Sequence, residues 1–315
     1  MVLTFYQCAQ IVWEIFPDCI YDGNQFESIE VLDFPEYFHK FGWFISEAMK
    51  YVILPDSERH SLAFYLAMEE FVARRYEDEA FFVWRVEPTV IIGRNQDLEA
   101  EVNIQYCMDH GVHIVRRRSG GGCVYSDLGN IMISYVSRRG DVSAVFDRYL
   151  SELTACLVSL GLPAEKSGRN DILIDGRKVS GNAFHQMPDR SIVHGTLLYD
   201  TDMDALETAI RPPVEKLERH GVPSVRQRVR NIAELAHGIN RTGSIADQGE
   251  NPVPLSNGQS VSEHLKSVEA LEQYMVEYFT GWKPDEPLHG KEIRLTPEDV
   301  AEIEKIATDY VISMT

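Results

Sequence analysis

A basic turn followed by three glycines is the segment of this chain whose residue types best suit chemistry. Arg116, Arg117 and Arg118 lead into Ser119 and the run Gly120–Gly122. Glycines lack a Cβ atom, so they can adopt positive φ angles and let the backbone approach a ligand closely. Consecutive N–H groups beside guanidinium groups can form a site for an anion such as a phosphate. Neither the G-x-G-x-x-G nor the G-x-x-x-x-G-K-[ST] pattern occurs here, so the segment favours neither a Rossmann nor a P-loop site.

A second segment carries a lysine on a short hairpin. The dipeptide Asp175-Gly176 stands between two strand-like runs, Ile172–Ile174 and Lys178–Ala183. Asp-Gly between such runs is a strong signal for a two-residue type I′ turn. The hairpin would hold Lys178 on a rigid ribbon, and a catalytic lysine needs such positioning.

Helix and strand patterns indicate which elements position these two segments. Apolar residues recur at helical spacing over Ser61–Arg75, and a second helix is predicted after Asp141, its cap, with Pro163 beyond its end. Two more helices are predicted at about Ser262–Phe279 and from Thr296 to about Ile312, the latter with a capping-box signature. The predicted strands of the first half are Met49–Leu54, Phe81–Val86 and Thr89–Ile92.

Composition argues against several classes of function. The 315 residues are 44% hydrophobic, enough for a large core, and no apolar run approaches the roughly twenty residues of a membrane span. A formal charge of −19 argues against nucleic acid as a partner, because its affinity rests on distributed Lys and Arg. Five cysteines without metal or C-x-x-C spacing indicate reduced thiols. The apolar start lacks a basic region, so we expect no secretory signal and a cytoplasmic protein.

Together, the two segments resemble the lipoate-protein ligase A family. Members carry an arginine pair leading into S-G-G-G, then D-x-G-N, then S-G-R-N-D followed by R-K-[VI]-S-G-x-A, and a late H-G-T-L-L. This chain has each motif in that order, and the resemblance extends from about Tyr51 to Met314. The matching segments are Arg117–Gly122, Asp127–Asn130, Ser167–Asp171, Arg177–Ala183 and His194–Leu198.

The resemblance implies an α+β fold of the biotin/lipoate protein ligase catalytic-domain type, with helices packed on a mixed β-sheet. The catalytic domain is expected at residues 49–236, after an N-terminal extension of unknown role at residues 1–48. Residues 237–260, rich in Gly, Asn, Ser and Pro, are expected to be a loop or linker. Residues 261–315 would form the C-terminal helical part of the catalytic domain. The C-terminal accessory domain of single-chain members is expected to be absent, since the chain stops at Thr315.

The activity that the resemblance implies is ATP-dependent attachment of lipoate to a lysine of an acceptor protein, through lipoyl-AMP. Lys178 matches the family lysine that contacts the acyl carbonyl and the α-phosphate, and Arg117 matches the arginine that binds the nucleotide phosphate. Asn170 and Asp171 would bind ribose and Mg²⁺, a hard cation that takes one or two carboxylates plus substrate phosphates. The other residues expected to bind the nucleotide or lipoyl-AMP are Ser119, Gly120, Gly121, Gly122, Cys123, Val124, Tyr125, Asn130 and His194.

One of these expectations has a simpler reading beside it, and one part of the site is left to the strands. His194 leads a predicted strand, where a histidine among apolar residues is more often a satisfied core side chain than a base. The lipoyl tail needs an apolar tunnel, which we expect against strands such as Thr89–Ile92 and Ile131–Tyr135.

Acceptors implied by the resemblance are the lipoyl domains of 2-oxoacid dehydrogenase E2 subunits and the glycine-cleavage H protein. Because the accessory part assists adenylation in this family, the chain could instead need a separate accessory subunit, or only transfer from ready-made lipoyl-AMP. A lipoyl or octanoyl transferase that works without ATP, through a thioester on Cys123 or Cys156, also stays open. The signature G-R-G-R-x of biotin ligases is not found. A non-catalytic lipoate or nucleotide sensor is disfavoured, because it would not need to retain Lys178 with Arg117 and the glycines.

Overall fold

The fold contains two β-sheets of different size. A computed structural model describes residues 49–168, 170–210, 228–235, 263–281 and 290–311. The larger sheet has eight strands in the order β11-β1-β2-β6-β10-β9-β8-β7, and the smaller has the order β4-β3-β5. The strands are β1 (Lys50–Ile53), β2 (Ala80–Trp84), β3 (Thr89–Ile92), β4 (His113–Arg116), β5 (Val124–Ser126), β6 (Asn130–Arg138), β7 (Ala164–Ser167), β8 (Asp171–Ile174), β9 (Arg177–Gln186), β10 (Arg190–Leu198) and β11 (Glu292–Arg294).

The larger sheet is mixed, because β1 runs parallel to β2 and β11 while the pairs from β2 to β7 are antiparallel. Helices pack on this sheet, so the predicted α+β class is confirmed. The helices among the described residues are α1 (Leu62–Arg75), α2 (Leu98–Glu101), α3 (Ile104–Asp109), α4 (Val142–Ser159), α5 (Met203–Ala209), α6 (Val268–Thr280) and α7 (Pro297–Ala307).

Helices cover both faces of the larger sheet. Successive side chains of a strand point to opposite faces, so Ile133 and Val193 pack into the core under α4 and α6. Their neighbours Met132 and Ile192 pack into a second core with α1 and α7. We call this second side of the sheet the α1 face. Burial of apolar side chains on both faces is the main favourable term in folding, and it fixes the register that places polar residues of β9 and β10.

Side-chain caps start the helices, and those at Asp141 and Thr296 were predicted. Ser61 caps α1 by accepting a hydrogen bond from the Phe64 N–H, and Asp141 caps α4 in the same way. A capping box starts α7, with Thr296 and Asp299 each accepting from the other's backbone N–H. Asp175 and Gly176 both have positive φ, 49° and 72°, which is the geometry of a type I′ turn.

The structure corrects two helix boundaries. The predicted start of α6 at Ser262 is wrong: the helix begins at Val268, because Ser267 caps it by accepting from the Ala270 N–H. The predicted end of α7 near Ile312 is also wrong, because the helix ends at Ala307 and a 3₁₀ turn follows at Thr308–Tyr310.

Two expected regions cannot be compared with this fold. The N-terminal extension at residues 1–48 and the linker at residues 237–260 lie outside the described residues. Within the ranges given above, every helix is too short or too polar to cross a membrane.

Candidate active site

A tight loop, residues 117–123, joins β4 to β5 and contains the three glycines; we call it the glycine loop. One of the three, Gly121, has a positive φ of 96°. The backbone of Gly93, directly after β3, lies against it: a Cβ atom on Gly93 would be 2.1 Å from the Gly121 carbonyl oxygen. Such a distance is far inside van der Waals contact, so the loop needs glycine at both positions.

Arg117 lies beneath the glycine loop. Its guanidinium donates to the carbonyl oxygens of Gly122 at 2.7 Å, Gly120 at 2.8 Å and Ile91 at 3.1 Å, and only 5% of the residue is exposed. Burial lowers the pKa of Arg117 to about 10, so it stays charged at neutral pH. In this conformation Arg117 stabilises the loop from inside, and its contact with a nucleotide phosphate stays a prediction.

The neighbouring arginines are also bound to acceptors of the protein. Arg116 donates to the carbonyl oxygens of Gly93 at 3.0 Å and Gln96 at 2.8 Å. Arg118 points in the other direction and binds the carboxylate of Glu70 at 2.5–2.6 Å. The basic run therefore fixes the loop to its surroundings.

A buried hydrogen-bonded network links the loop to both the sheet and α1. Ser119 Oγ lies 2.7 Å from His194 Nε2, and His194 Nδ1 lies 2.8 Å from Glu69 Oε2. The other oxygen of Glu69 accepts from Ser134 Oγ at 2.5 Å, and Ser134 accepts from Trp84 Nε1 at 2.9 Å. All five side chains are buried. We call this set the Glu69–His194 network. His194 is thus a satisfied core side chain that also holds Ser119, the residue before the glycines.

Lys178 is the second residue of β9, and its side chain lies over Gly181. A Cβ atom on Gly181 would be 2.6 Å from Lys178 Nζ, so any larger residue there would displace the ammonium from this position. The ammonium pairs with Asp171 Oδ1 at 2.8 Å, and about a third of each side chain is exposed. Behind the hairpin, the Arg230 N–H donates to the Lys178 carbonyl at 2.9 Å, and the Arg230 side chain pairs with Asp175 at 2.7 Å.

Lys178 and the glycine loop lie on the same face of the larger sheet, beside neighbouring residues of β9 and β10. Gly181, under the ammonium, is directly opposite Thr196 on β10. Thr196 and His194 point to the same face because they are two residues apart on β10. Gly181 and His194 are therefore diagonal neighbours across the two strands, and the Cα atoms of such a pair are about 7–8 Å apart. Since His194 contacts Ser119, the ammonium and the loop approach the α1 face from adjacent strands.

Asn170 braces the base of the lysine hairpin. Its Nδ2 donates to the Asn182 carbonyl at 2.9 Å, and Asn182 Nδ2 donates to the Asn170 carbonyl at 3.0 Å. Asp171 follows with its carboxylate on Lys178. Across the described ranges, His, Cys, Asp and Glu side chains form no group of three that could hold a metal ion. A Mg²⁺ ion here would therefore depend on Asp171 and on the phosphates of a substrate.

The other predicted ligand residues lie around and behind the loop. Tyr125, on β5, is buried in the core beside the smaller sheet. Asn130 is fully buried, with its Nδ2 3.4 Å from the Tyr125 carbonyl. Cys123 and Val124, which leads β5, are partly buried. Burial, and then the charge of Glu101, raises the pKa of the Cys123 thiol to about 12. Burial also raises the pKa of Cys156, so both stay thiols at neutral pH.

A small cavity adjoins the loop on the α1 face, and sequence reasoning missed most of its wall. Glu69 sits in the middle of the apolar stripe of α1, and a charged residue at such a position was a signal that could have revealed it. Tyr310 lies far away in sequence and gave no signal. The cavity is lined by Leu66, Glu69, Arg118, Ser119, His185, Ile192, His194 and Tyr310.

Comparison with known proteins connects this geometry to one family. The family described as Lipoyl protein ligase A/B catalytic domain matches residues 61–247. The chain is 40% identical over 173 residues to lipoate-protein ligase LplJ of Bacillus subtilis, covering 54% of this chain and 52% of that one. It is 34% identical over 255 residues to lipoate-protein ligase A of Bdellovibrio bacteriovorus, covering 77% and 66%. The chain thus spans between about half and two thirds of the length of these relatives.

Solved structures share the fold. One is a bi-partite lipoate protein ligase from Thermoplasma acidophilum, described with its E2 lipoyl domain, at a TM-score of 0.63 and 22% identity over 84% of this chain and 93% of that one. Another is a lipoate-protein ligase A bound with ATP, at a TM-score of 0.59 and 20% identity over 83% and 95%. At these identities the likeness concerns the arrangement of strands and helices.

Proposed function

Because this chain belongs to the lipoyl protein ligase A/B catalytic domain family, we propose that it is a lipoate-protein ligase that uses ATP. The carboxylate oxygen of lipoate attacks the α-phosphorus of ATP, and the bond to the β-phosphate breaks to release pyrophosphate. The ε-amine of an acceptor lysine then attacks the acyl carbonyl of lipoyl-AMP. The new amide forms as AMP leaves, and the amine loses a proton.

The convergence of Lys178 with the glycine loop is the observation that carries this proposal. Both steps concentrate negative charge on the α-phosphate and on the acyl carbonyl oxygen. Donors fixed in advance around such charge are usually the largest contribution to catalysis. The loop is held rigid by Arg117 and the Glu69–His194 network, so its N–H groups are pre-positioned. The Lys178 ammonium has three donors on a flexible stem, and it can contact both charged oxygens.

Asp171 fits two successive roles in this site. Without substrate it pairs with Lys178 at 2.8 Å and keeps the ammonium over Gly181. A single carboxylate with substrate phosphates is a common way of holding Mg²⁺, so Asp171 would hold the ion when ATP binds. The ion would neutralise phosphate charge there. Lys178 would then be released toward the acyl phosphate.

Lipoyl domains of 2-oxoacid dehydrogenase E2 subunits are the proposed acceptors. The Thermoplasma structure, which names an E2 lipoyl domain beside its ligase, supports this choice. The glycine-cleavage H protein, a separate accessory subunit and a cytoplasmic location remain parts of the proposal that rest on the motif resemblance.

The test supplies lipoate, ATP, Mg²⁺ and an apo lipoyl domain to the purified full chain and follows the acceptor by intact mass spectrometry. We expect one lipoyl group per acceptor. If modification appears only with synthetic lipoyl-AMP, the chain transfers but needs a partner for activation. No modification from either donor, while lipoate still binds, would favour the sensor and overturn the proposal.

The ATP-independent transferase has its own arm in this test. A lipoylated carrier domain is offered as donor without ATP. We expect no transfer, because such a reaction needs a thiolate and burial raises the pKa of both Cys123 and Cys156. Transfer in this arm, with an acyl group found on either cysteine, would replace the ligase with the transferase.

A further inference from the structure

The cavity beside the glycine loop has one wall from the far end of the chain. Leu66 of α1 and Ile192 of β10 supply aliphatic surface, and Tyr310 of the C-terminal 3₁₀ turn supplies an aromatic ring. The space beside these residues is small and partly open to solvent. Each wall residue therefore controls a large share of the space.

The polar residues around the cavity bind one another. Glu69 is held by Ser134 and His194, and His194 uses both ring nitrogens, on Glu69 and Ser119. Arg118 is held by the carboxylates of Glu70 and Asp309. Buried polar groups that are already paired do not require a polar ligand or water. These side chains can therefore present ring and stem carbon atoms to an apolar guest.

Tyr310 is pinned in place from three sides. Its hydroxyl lies 3.0 Å from Glu70 Oε2, and the Arg118 guanidinium stacks 4.7 Å from the ring centre. The next residue, Val311, pairs with Val115 of β4. Only 4% of Tyr310 is exposed. A ring held by hydroxyl, face and backbone is a rigid wall.

Strand geometry puts the cavity within reach of an acyl chain that is held at Lys178. The acyl carbonyl belongs near Lys178, over Gly181 and opposite Thr196. From Thr196 to Ile192 the strand advances four residues, about 14 Å. An extended eight-carbon chain, with seven bonds of about 1.5 Å in a zigzag, is about 9 Å long. Its end would lie between His194 and Ile192, which line the cavity together with Tyr310.

We infer that Tyr310 closes the distal end of the acyl pocket and sets the longest acyl chain that the enzyme accepts. The inference rests on the proposed function and adds a specificity-determining residue to it. Arg118 belongs to the glycine loop, binds Glu70 and Asp309, and stacks on Tyr310. Through Arg118, the wall that limits the acyl chain is linked to the loop that would bind the phosphate.

The test measures transfer to an apo lipoyl domain from synthetic hexanoyl-, octanoyl-, decanoyl- and dodecanoyl-AMP. The readout is the ratio of kcat/KM for decanoyl-AMP to that for octanoyl-AMP. Tyr310→Ala should raise this ratio at least about tenfold, since one methylene in a fitted pocket is worth roughly 10–200-fold. Tyr310→Phe keeps the ring and should leave the ratio unchanged. Tyr106→Ala removes a tyrosine from α3 and is the matched control.

The possible outcomes separate the inference from the proposed function. An unchanged ratio in a folded Tyr310→Ala protein, while octanoyl transfer continues, overturns the inference alone. No transfer of any acyl group by the unmodified chain would overturn the proposed function instead. If Tyr310→Ala does not fold, Tyr310→Leu, which removes part of the ring volume, should still raise the ratio by a smaller factor. A ratio unchanged in folded Tyr310→Leu would also overturn the inference.

Discussion

The two halves of the candidate site are built in opposite ways. On the loop side, the Glu69–His194 network is buried, and each of its side chains has a hydrogen-bond partner inside the protein. On the hairpin side, Lys178 and Asp171 form an ion pair that is about a third exposed. A buried polar network is costly to disturb, whereas an exposed pair contributes about 0–1 kcal/mol and exchanges partners readily.

This difference indicates a division of labour. The loop must offer N–H groups at fixed points, so its supports are rigid. The lysine must leave Asp171 when substrate arrives, so its resting contact is weak. Mutations should therefore reduce stability on the loop side and reduce activity on the hairpin side.

Removing the carboxylate at the centre of the network gives the largest expected effect on stability. Glu69→Ala leaves Ser134 and the Nδ1 side of His194 buried without partners, so we expect the free energy of unfolding to fall by about 3–5 kcal/mol. Urea unfolding followed by circular dichroism measures it. Glu304→Ala, on the exposed side of α7, is the control and should change little. A loss below about 1 kcal/mol for Glu69→Ala would break the contrast between the two halves.

Removing the lysine should separate activity from stability. Lys178→Ala takes away a charged donor to the transition state, and loss of one such donor costs about 10²–10³-fold in rate. We expect that loss in transfer from lipoyl-AMP, with a change in Tm of about 1 °C or less. Lys166→Ala is a matched control, because Lys166 also pairs with an aspartate, at 2.6 Å, and is similarly exposed. If Lys178→Ala unfolds the protein, the lysine is structural.

The same contrast explains which parts of the molecule the sequence predicted. The type I′ turn at Asp175-Gly176, the cap at Asp141 and the capping box at Thr296 depend on neighbouring residues, and all three were predicted. The contact of Ser119 with His194 joins β10 to a loop 75 residues earlier. Such a contact depends on strand order, which a local pattern does not encode.

The predicted end of α7 was wrong for a related reason. Helical periodicity continues past Ala307, but Tyr310 turns back to bind Glu70 on α1. The direction of Arg117 was also beyond sequence reasoning. A motif states which residues accompany the glycines, and the backbone of the loop decides whether a guanidinium points outward or beneath it.

The substitution Gly93→Ala tests whether the glycine loop is already rigid before a ligand binds. The new Cβ of Gly93→Ala would lie 2.1 Å from the Gly121 carbonyl oxygen, so the loop must shift, at about 1–3 kcal/mol. The free energy of unfolding, measured in urea, and the rate of transfer from lipoyl-AMP should both decrease. Gly120→Ala is the stability control, because a Cβ there meets open space, and we expect a change within about 0.5 kcal/mol. Equal stability of the two variants would contradict a rigid loop.

The smallest expected effect concerns the thiol beside the loop. With the pKa of Cys123 raised to about 12 by burial and Glu101, its thiolate fraction at pH 8 is on the order of 10⁻⁴. Alkylation by iodoacetamide should be far slower than for glutathione and should rise about tenfold per pH unit, because deprotonation limits it. Cys123→Ala should keep transfer from lipoyl-AMP within about twofold of the unmodified chain. A larger loss, with an acyl group on Cys123, would move the chemistry from the exposed lysine to the buried side of the site and reverse the division of labour between them.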